Sequence, residues 1–308
     1  RRDVKEKNSI SKEDLEILEF LSKYKMLKVE DAKLIYKSKR YYRQRVNRLI
    51  DNEYVKRYKS YIIISKKGRK ILNKVGTDYI KNIKNESYME RLKNIASIAT
   101  VSIDSNIKFI PSWDIKEKDI YTETARRYVG KMIIENDEYL VYYISSKKKH
   151  VYIKQLLFDI KKALNYNEII IFVENFDVVN KNYSNLSFGK NNTYIIKNTE
   201  ENKKIIKEIY NMNAHEILEN IYQKEIMISD WKYADYLIED GTYIVYMIFL
   251  NTEKINRLNW YYKENTNSNR KVEIVTLEEN KQKVDELSCN NVKVKTLNVD
   301  LLGGESEY

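Results

Sequence analysis

Arg40, Tyr41, Gln44, Asn47 and Arg48 fall within nine residues of one another. At about 100° per residue on a helix they share one face, opposite a stripe of Tyr42, Val46 and Leu49, with Arg43 and Arg45 on the flanks. That composition suits the reading of base edges in a major groove, because Arg bonds guanine bidentately and Gln or Asn does the same with adenine. Lys39 stands at the head of the run. Lys56, Arg57, Lys59 and Ser60 follow it on two short β-rich pieces, where they would meet a phosphate backbone or a minor groove. A solvated helix face has a similar composition, so the distribution of charge matters more than its amount.

The 308 residues carry a net charge of +11. Lys, Ile, Asn and the 27 Tyr are abundant while Gly and Pro are scarce, the bias of an AT-rich genome, which by itself multiplies surface lysine. Codon drift would spread that lysine evenly. Instead, residues 1–85 hold 25 Lys/Arg against 11 Asp/Glu, a net of +14, and the remainder is close to neutral at −3. Within 37–70 there are 13 basic residues and 2 acidic ones, with arginine, which AT-rich codons do not favour, well represented. The pattern points to a polyanion as the partner of the N-terminal part.

Residues suited to catalysis are sparse. One cysteine (Cys289) and two histidines (His150, His215) exclude an intrachain disulfide framework and leave a Cys/His zinc site without ligands. None of the seven glycines forms a phosphate-cradling motif. A metal-dependent nuclease would need clustered carboxylates, a proline-aspartate followed by (Asp/Glu)-x-Lys on the next strand. Pro111-Ser-Trp-Asp114, Asp114-Ile-Lys116 and Asp159-Ile-Lys161 approach this pattern without fitting it, and Asp159 reads as surface charge on a helix. A relaxase would need a His-x-His metal site, whereas the two histidines stand 65 residues apart. His215 reads as a helix cap or surface residue, and Cys289 as a loop thiol. No catalytic residue, metal ligand or cofactor is expected.

Several elements must position the basic residues. Ser11 with Asp14 reads as a capping-box start for a helix through Leu15, Leu18, Leu21 and Tyr24. Val29, Ala32, Ile35 and Tyr36 make a second short helix. Ser38 caps a third over 39–52. Strands over 54–58 and 61–64 form a hairpin around Lys59-Ser60, a loop lacking the Gly or Asn of a tight primed turn. Ser65 caps a last helix over 66–74, with Gly76 near its end. Helix, helix, helix, hairpin, helix is the order of a winged helix-turn-helix. A helix over 78–99 is expected to link it to the C-terminal two thirds of the chain.

From Val101 the pattern becomes apolar strands alternating with helices. Strands are expected over 128–134, 139–144, 169–173 and 194–196, with helices over 150–164 and 200–210. A second unit comes next: strand 243–250, helix 253–262, strand 272–277, helix 279–287 and strand 292–297. Offset by 104 residues, Tyr139-Leu-Val-Tyr-Tyr-Ile144 aligns with Tyr243-Ile-Val-Tyr-Met-Ile248, which suggests a duplicated α/β half. The expected class is α+β: an N-terminal winged helix-turn-helix followed by an α/β region of one or two mixed-sheet domains. Its parts are 1–76, a linker helix 77–100, an α/β domain 101–212, a second α/β unit 213–302 and a polar tail 303–308. No apolar run reaches membrane-spanning length. The chain opens on Arg1 rather than Met, so further residues are expected upstream.

Three stretches carry a family resemblance: Leu15-x-x-Leu18-x-x-Leu21, the run from Tyr41 to Val55, and Ser65-Lys-Lys-Gly-Arg-Lys-Ile-Leu72. With the order of parts, they resemble the replication-relaxation family of plasmid and phage proteins. The resemblance implies a winged helix joined to a domain similar to PD-(D/E)xK nucleases. Where that domain's proline-aspartate would stand, this chain reads Tyr128-Val-Gly130, and the next strand ends Tyr143-Ile-Ser-Ser146. The implied second domain is therefore inactive. The expectation is a cytoplasmic, sequence-specific binder of double-stranded DNA from a plasmid or phage, serving replication, partition or transcriptional control. Its α/β part would dimerise or recruit replication or transcription proteins. The alternatives are a nuclease or relaxase using Asp104, Asp114 or Glu123, and a winged helix serving protein assembly alone.

Overall fold

The structure, a computed structural model, describes residues 10–72, 85–115, 127–148, 150–163, 166–176, 192–209, 213–289 and 291–297. Gly76, Asp78, Glu123, Leu164, Tyr210 and the 303–308 tail lie outside the described residues. The fold is mixed α+β, with ten helices and three sheets among the described residues. The chain divides into two compact units, Arg1–Pro111 and Ser112–Tyr308.

In the first unit, helix α1 (Lys12–Tyr24) starts at a complete capping box. Ser11 Oγ accepts from the Asp14 N–H at 3.2 Å, and the Asp14 carboxylate accepts from the Ser11 N–H at 3.0 Å. Strand β1 (Met26–Lys28) follows at once, then a 3-10 turn (Val29–Asp31) and helix α2 (Ala32–Tyr36). Next come α3 (Tyr41–Asp51), β2 (Val55–Tyr58), β3 (Tyr61–Ile64), α4 (Lys66–Ile71), α5 (Glu86–Ala99) and β4 (Lys108–Pro111). The sequence pattern did not indicate β1, which is too short for its alternation to register. It extends the hairpin into an antiparallel sheet of order β1-β3-β2.

Alternation along these strands divides the side chains between two layers. Met26, Tyr58, Tyr61 and Ile63 pack with Met89, Leu92 and Ala96 of α5. Leu27 and Ile62, both fully buried, point the other way. The helix expected as a linker thus packs on the sheet inside the first unit. Ser65 caps α4 by accepting from the Gly68 N–H at 3.0 Å while donating to the Glu53 carbonyl at 2.5 Å. Gly68 is required there: a Cβ would lie 2.2 Å from the Tyr54 carbonyl oxygen.

The second unit contains two sheets of similar strand arrangement, one to each half. In the first, β5 (Gly130–Ile134) pairs antiparallel with β6 (Asp137–Ile144), and β6 continues in parallel to β7 (Glu168–Val173) and β8 (Asn192–Lys197). Helix α6 (His150–Lys162) makes the β6–β7 crossover, and α7 (Glu200–Ile209) comes after β8. The two central strands, β6 from Tyr139 onward and β7 from Ile169 onward, are buried throughout, as central strands covered on both faces require. Then come α8 (Ala214–Tyr222), β9 (Ile226–Ile228), β10 (Tyr236–Ile238), β11 (Tyr243–Tyr246), α9 (Thr252–Glu264), β12 (Val272–Leu277), α10 (Glu278–Leu287) and β13 (Val292–Leu297). Their sheet has the order β13-β12-β11-β10-β9, antiparallel from β9 to β11 and parallel from β11 to β13.

Of the two aligned segments, Tyr139–Ile144 lies on β6, and Tyr243–Tyr246 forms β11 with Met247 and Ile248 beyond its end; each strand joins an antiparallel neighbour to a parallel series. The halves share a core, because Ile205 of α7 packs with Ile217, Ile244, Val275 and Leu297. The strand expected over 243–250 stops at Tyr246. Leu250 instead forms an antiparallel bridge to Ile195 of β8, its carbonyl accepting from the Ile195 N–H at 2.8 Å. No helix among the described residues is long and apolar enough to cross a membrane.

Candidate nucleic-acid interface

Helix α3 separates its side chains as its periodicity requires. Tyr42, Val46 and Leu49 are buried, while Tyr41, Arg43, Gln44, Asn47 and Arg48 are exposed. Lys39 and Arg40, also exposed, lie in the turn before the helix rather than in its first turn. The cap position falls on Arg40, which makes no side-chain cap bond, rather than on Ser38, whose Oγ accepts from the Tyr41 N–H at 3.0 Å in the turn before the helix. Tyr41 keeps 48% of its surface exposed. The Arg43 side chain folds back on its neighbour, with Nε donating to the Tyr42 hydroxyl at 3.0 Å. Arg40, Tyr41, Gln44, Asn47 and Arg48 thus form one exposed surface, with a single carboxylate, Asp51, at its C-terminal end.

Arg45 departs from the sequence expectation. It is 8% exposed and turned inward, with Nη2 paired to Asp14 Oδ2 and Nε donating to Asp14 Oδ1 at 3.3 Å. Asp14, 3% exposed, also accepts from the Tyr36 hydroxyl at 2.6 Å. One carboxylate thereby fastens α1, α2 and α3 together. Burial, and then the bond to Asp14, push the Tyr36 phenol far above its ordinary range. The partial loss of solvent opposes the charge on Arg45, and Asp14 more than compensates, so its guanidinium is held above its usual value.

On the hairpin, Lys56, Arg57, Lys59 and Ser60 are all exposed. The register pairs Lys56 with Ile63 and Arg57 with Ile62, so these two cations project from opposite faces. Lys56 shares the α5 face, and Arg57 shares the face turned to the helical layer. Arg57 Nε also donates to the Lys59 carbonyl at 3.3 Å, which draws it toward the tip. Lys59 has φ of 54°, the left-handed conformation that Gly or Asn adopts more easily in such a turn.

The residues weighed for catalysis have other partners. Asp104 pairs with Lys37 at 2.9 Å. Asp159, expected as surface charge, is 2% exposed and accepts from Arg127 Nη1 at 2.7 Å. Strand β6 is longer than its apolar pattern and begins with Asp137 and Glu138, both exposed; Glu138 pairs with Lys131 at 2.9 Å. Asn213 rather than His215 caps α8, and His215 Nε2 donates to the Ile226 carbonyl at 2.7 Å. Cys289 stands in the connection before β13, its N–H donating to Asn259. Among the described residues no three His, Cys, Asp or Glu side chains are grouped to hold a metal ion. Comparison of the chain with family models, curated proteins and solved structures finds no match.

Proposed function

We propose that the first unit is a winged helix-turn-helix and that the protein binds double-stranded DNA in a sequence-specific manner. The carrying observation is the exposed surface of Arg40, Tyr41, Gln44, Asn47 and Arg48 on and beside α3, set against a buried stripe on the same helix. Arginine, glutamine and asparagine in that setting have the donors and acceptors to distinguish base pairs in a major groove. The hairpin β2–β3 would serve as the wing, with Arg57 and Lys59 on the phosphate backbone. Arg45 is left out of the interface, because its charge is already matched by Asp14 inside the unit.

In this reading the protein acts by binding and is not an enzyme. A plasmid or phage setting, with a role in replication, partition or transcriptional control, rests on the resemblance to replication-relaxation proteins. A cytoplasmic location and a second unit that dimerises or recruits partner proteins belong to the same proposal. Selection of bound duplexes from a random pool with the full chain tests it. One enriched motif, lost when Arg40 and Arg48 are both replaced by Ala, is the expected result. A pool that stays random after repeated selection would contradict sequence-specific binding.

A further inference from the structure

A second surface with nucleic-acid chemistry lies in the second unit, on the β9–β10 loop, β11 and α9. Trp231 stands at its centre, with ring centroids of Tyr261 at 4.8 Å, Tyr243 at 4.9 Å and Tyr233 at 5.3 Å. The Arg270 guanidinium lies 5.0 Å from both the Trp231 and Tyr243 rings and donates to the Tyr243 hydroxyl at 2.6 Å. These rings are half-buried rather than enclosed. Trp260, 56% exposed, extends the surface along α9, and Arg257 lies between it and Tyr261 on the helix circumference.

The loop that carries Trp231 is fixed in place. Ser229 Oγ accepts from the Trp231 N–H at 3.0 Å, the Ala234 N–H donates to the Trp231 carbonyl at 2.9 Å, and Asp235 is clamped by Lys254 at 2.8 Å. Exposed cations rim the rings: Lys232, Arg257, Arg270 and Lys271, against one exposed acid in the loop, Asp230. A polar cleft of about 330 Å³ runs from Arg270 and Lys271 to Lys293. Its one carboxylate, Glu273, is engaged by the Tyr222 hydroxyl at 2.7 Å.

Rings for stacking, guanidinium planes among them and a cationic cleft alongside are what an unpaired polynucleotide requires. Each base offers a π-face, and the backbone needs a positive track. A protein partner would favour a surface depleted in lysine, whereas here Lys232 and Lys271 flank the rings. We infer that the second unit binds single-stranded nucleic acid across Trp231, Trp260, Arg257 and Arg270. This binding is independent of duplex recognition by the first unit.

The test uses the full chain carrying Arg40→Ala and Arg48→Ala, which removes cations of the first unit, and a fluorescently labelled oligo-dT of about 15 nucleotides. Anisotropy should report binding that weakens about tenfold on Trp260→Ala, Arg257→Ala or Trp231→Ala. Trp260 is exposed, so its replacement leaves the fold intact and its result stands even where Trp231→Ala, or loss of the Arg257 bond to the Lys232 carbonyl at 3.4 Å, loosens the loop. No binding of oligo-dT, or equal binding by the Trp260 and Arg257 variants, would overturn the inference. Equal displacement by poly-glutamate of matched charge would also overturn it, since the surface would then be a site for acidic polypeptides.

Discussion

Arg45 of α3 and Asp14 of α1 form a buried ion pair, and the same carboxylate closes the capping box of α1 and accepts from Tyr36 of α2. Three helices therefore depend on one side chain. Breaking a buried pair from one side leaves an uncompensated charge, at a cost of about 3–5 kcal/mol. Arg45→Ala should lower the unfolding midpoint of the first unit accordingly. Arg48→Ala, on the exposed face, should leave it within about 0.5 kcal/mol. Chemical denaturation of the two variants separates them. Equal stabilities would mean that the pair is not a structural anchor.

Gly68→Ala should destabilise the first unit by about 3 kcal/mol, because the new methyl would meet the Tyr54 carbonyl at 2.2 Å, with Ile64 and Leu18 close beside it. The measurement is the same denaturation midpoint. A variant as stable as the parent would show that α4 can move away from the hairpin.

The hairpin offers a substitution that separates charge from conformation. Lys59 occupies a left-handed φ, so Lys59→Gly should hold stability within about 1 kcal/mol while removing the cation at the tip. Duplex affinity should fall for every sequence, with a shallower dependence on salt. Arg57→Ala should act in the same way, and Lys56→Ala less, because Lys56 projects from the face of the sheet that α5 covers. An unchanged salt slope in the Lys59 variant would remove the hairpin from the phosphate backbone.

Stability should fall at alkaline pH. Burial pushes the phenols of Tyr36, Tyr142, Tyr194, Tyr222 and Tyr246 upward, and hydrogen bonds to Asp14 and Glu273 add to this at Tyr36 and Tyr222. A raised phenol contributes its full stability below the unfolded-state value near about 10. Above it the unfolded chain releases protons that the folded chain retains, and the contribution declines. Urea midpoints should drop between about pH 9 and pH 11, with part of the tyrosinate absorbance appearing only on unfolding. Full ionisation of all tyrosines in the folded protein would contradict these burial assignments.

How far the sequence led depended on element length and on the reach of each partnership. The polar face of α3 was legible because a helical period separates Gln44 and Asn47 from Val46 and Leu49 over several turns. Strands β1, β9 and β10 were not, since three residues apiece carry no period. Arg45 was misread because it borders the apolar stripe, where a charged side chain turns either way, and its partner lies 31 residues earlier in the chain. A signal existed: Asp14 sits in the cap of a helix whose inner face is apolar, a place where a carboxylate needs a cation. The Trp231 surface was illegible for a related reason. Its rings come from a loop, a strand and a helix that only the β9–β13 sheet brings together.

The most direct test of duplex reading is a base-by-base comparison at Gln44. With the selected duplex and its single-base variants, Gln44→Ala should cost about 1–3 kcal/mol on the parent site and nearly nothing on the variant that alters the contacted base. Affinity for random DNA should stay as it was. A uniform loss across all duplexes, or no loss on any, would contradict a base-reading role for α3 and with it the central claim.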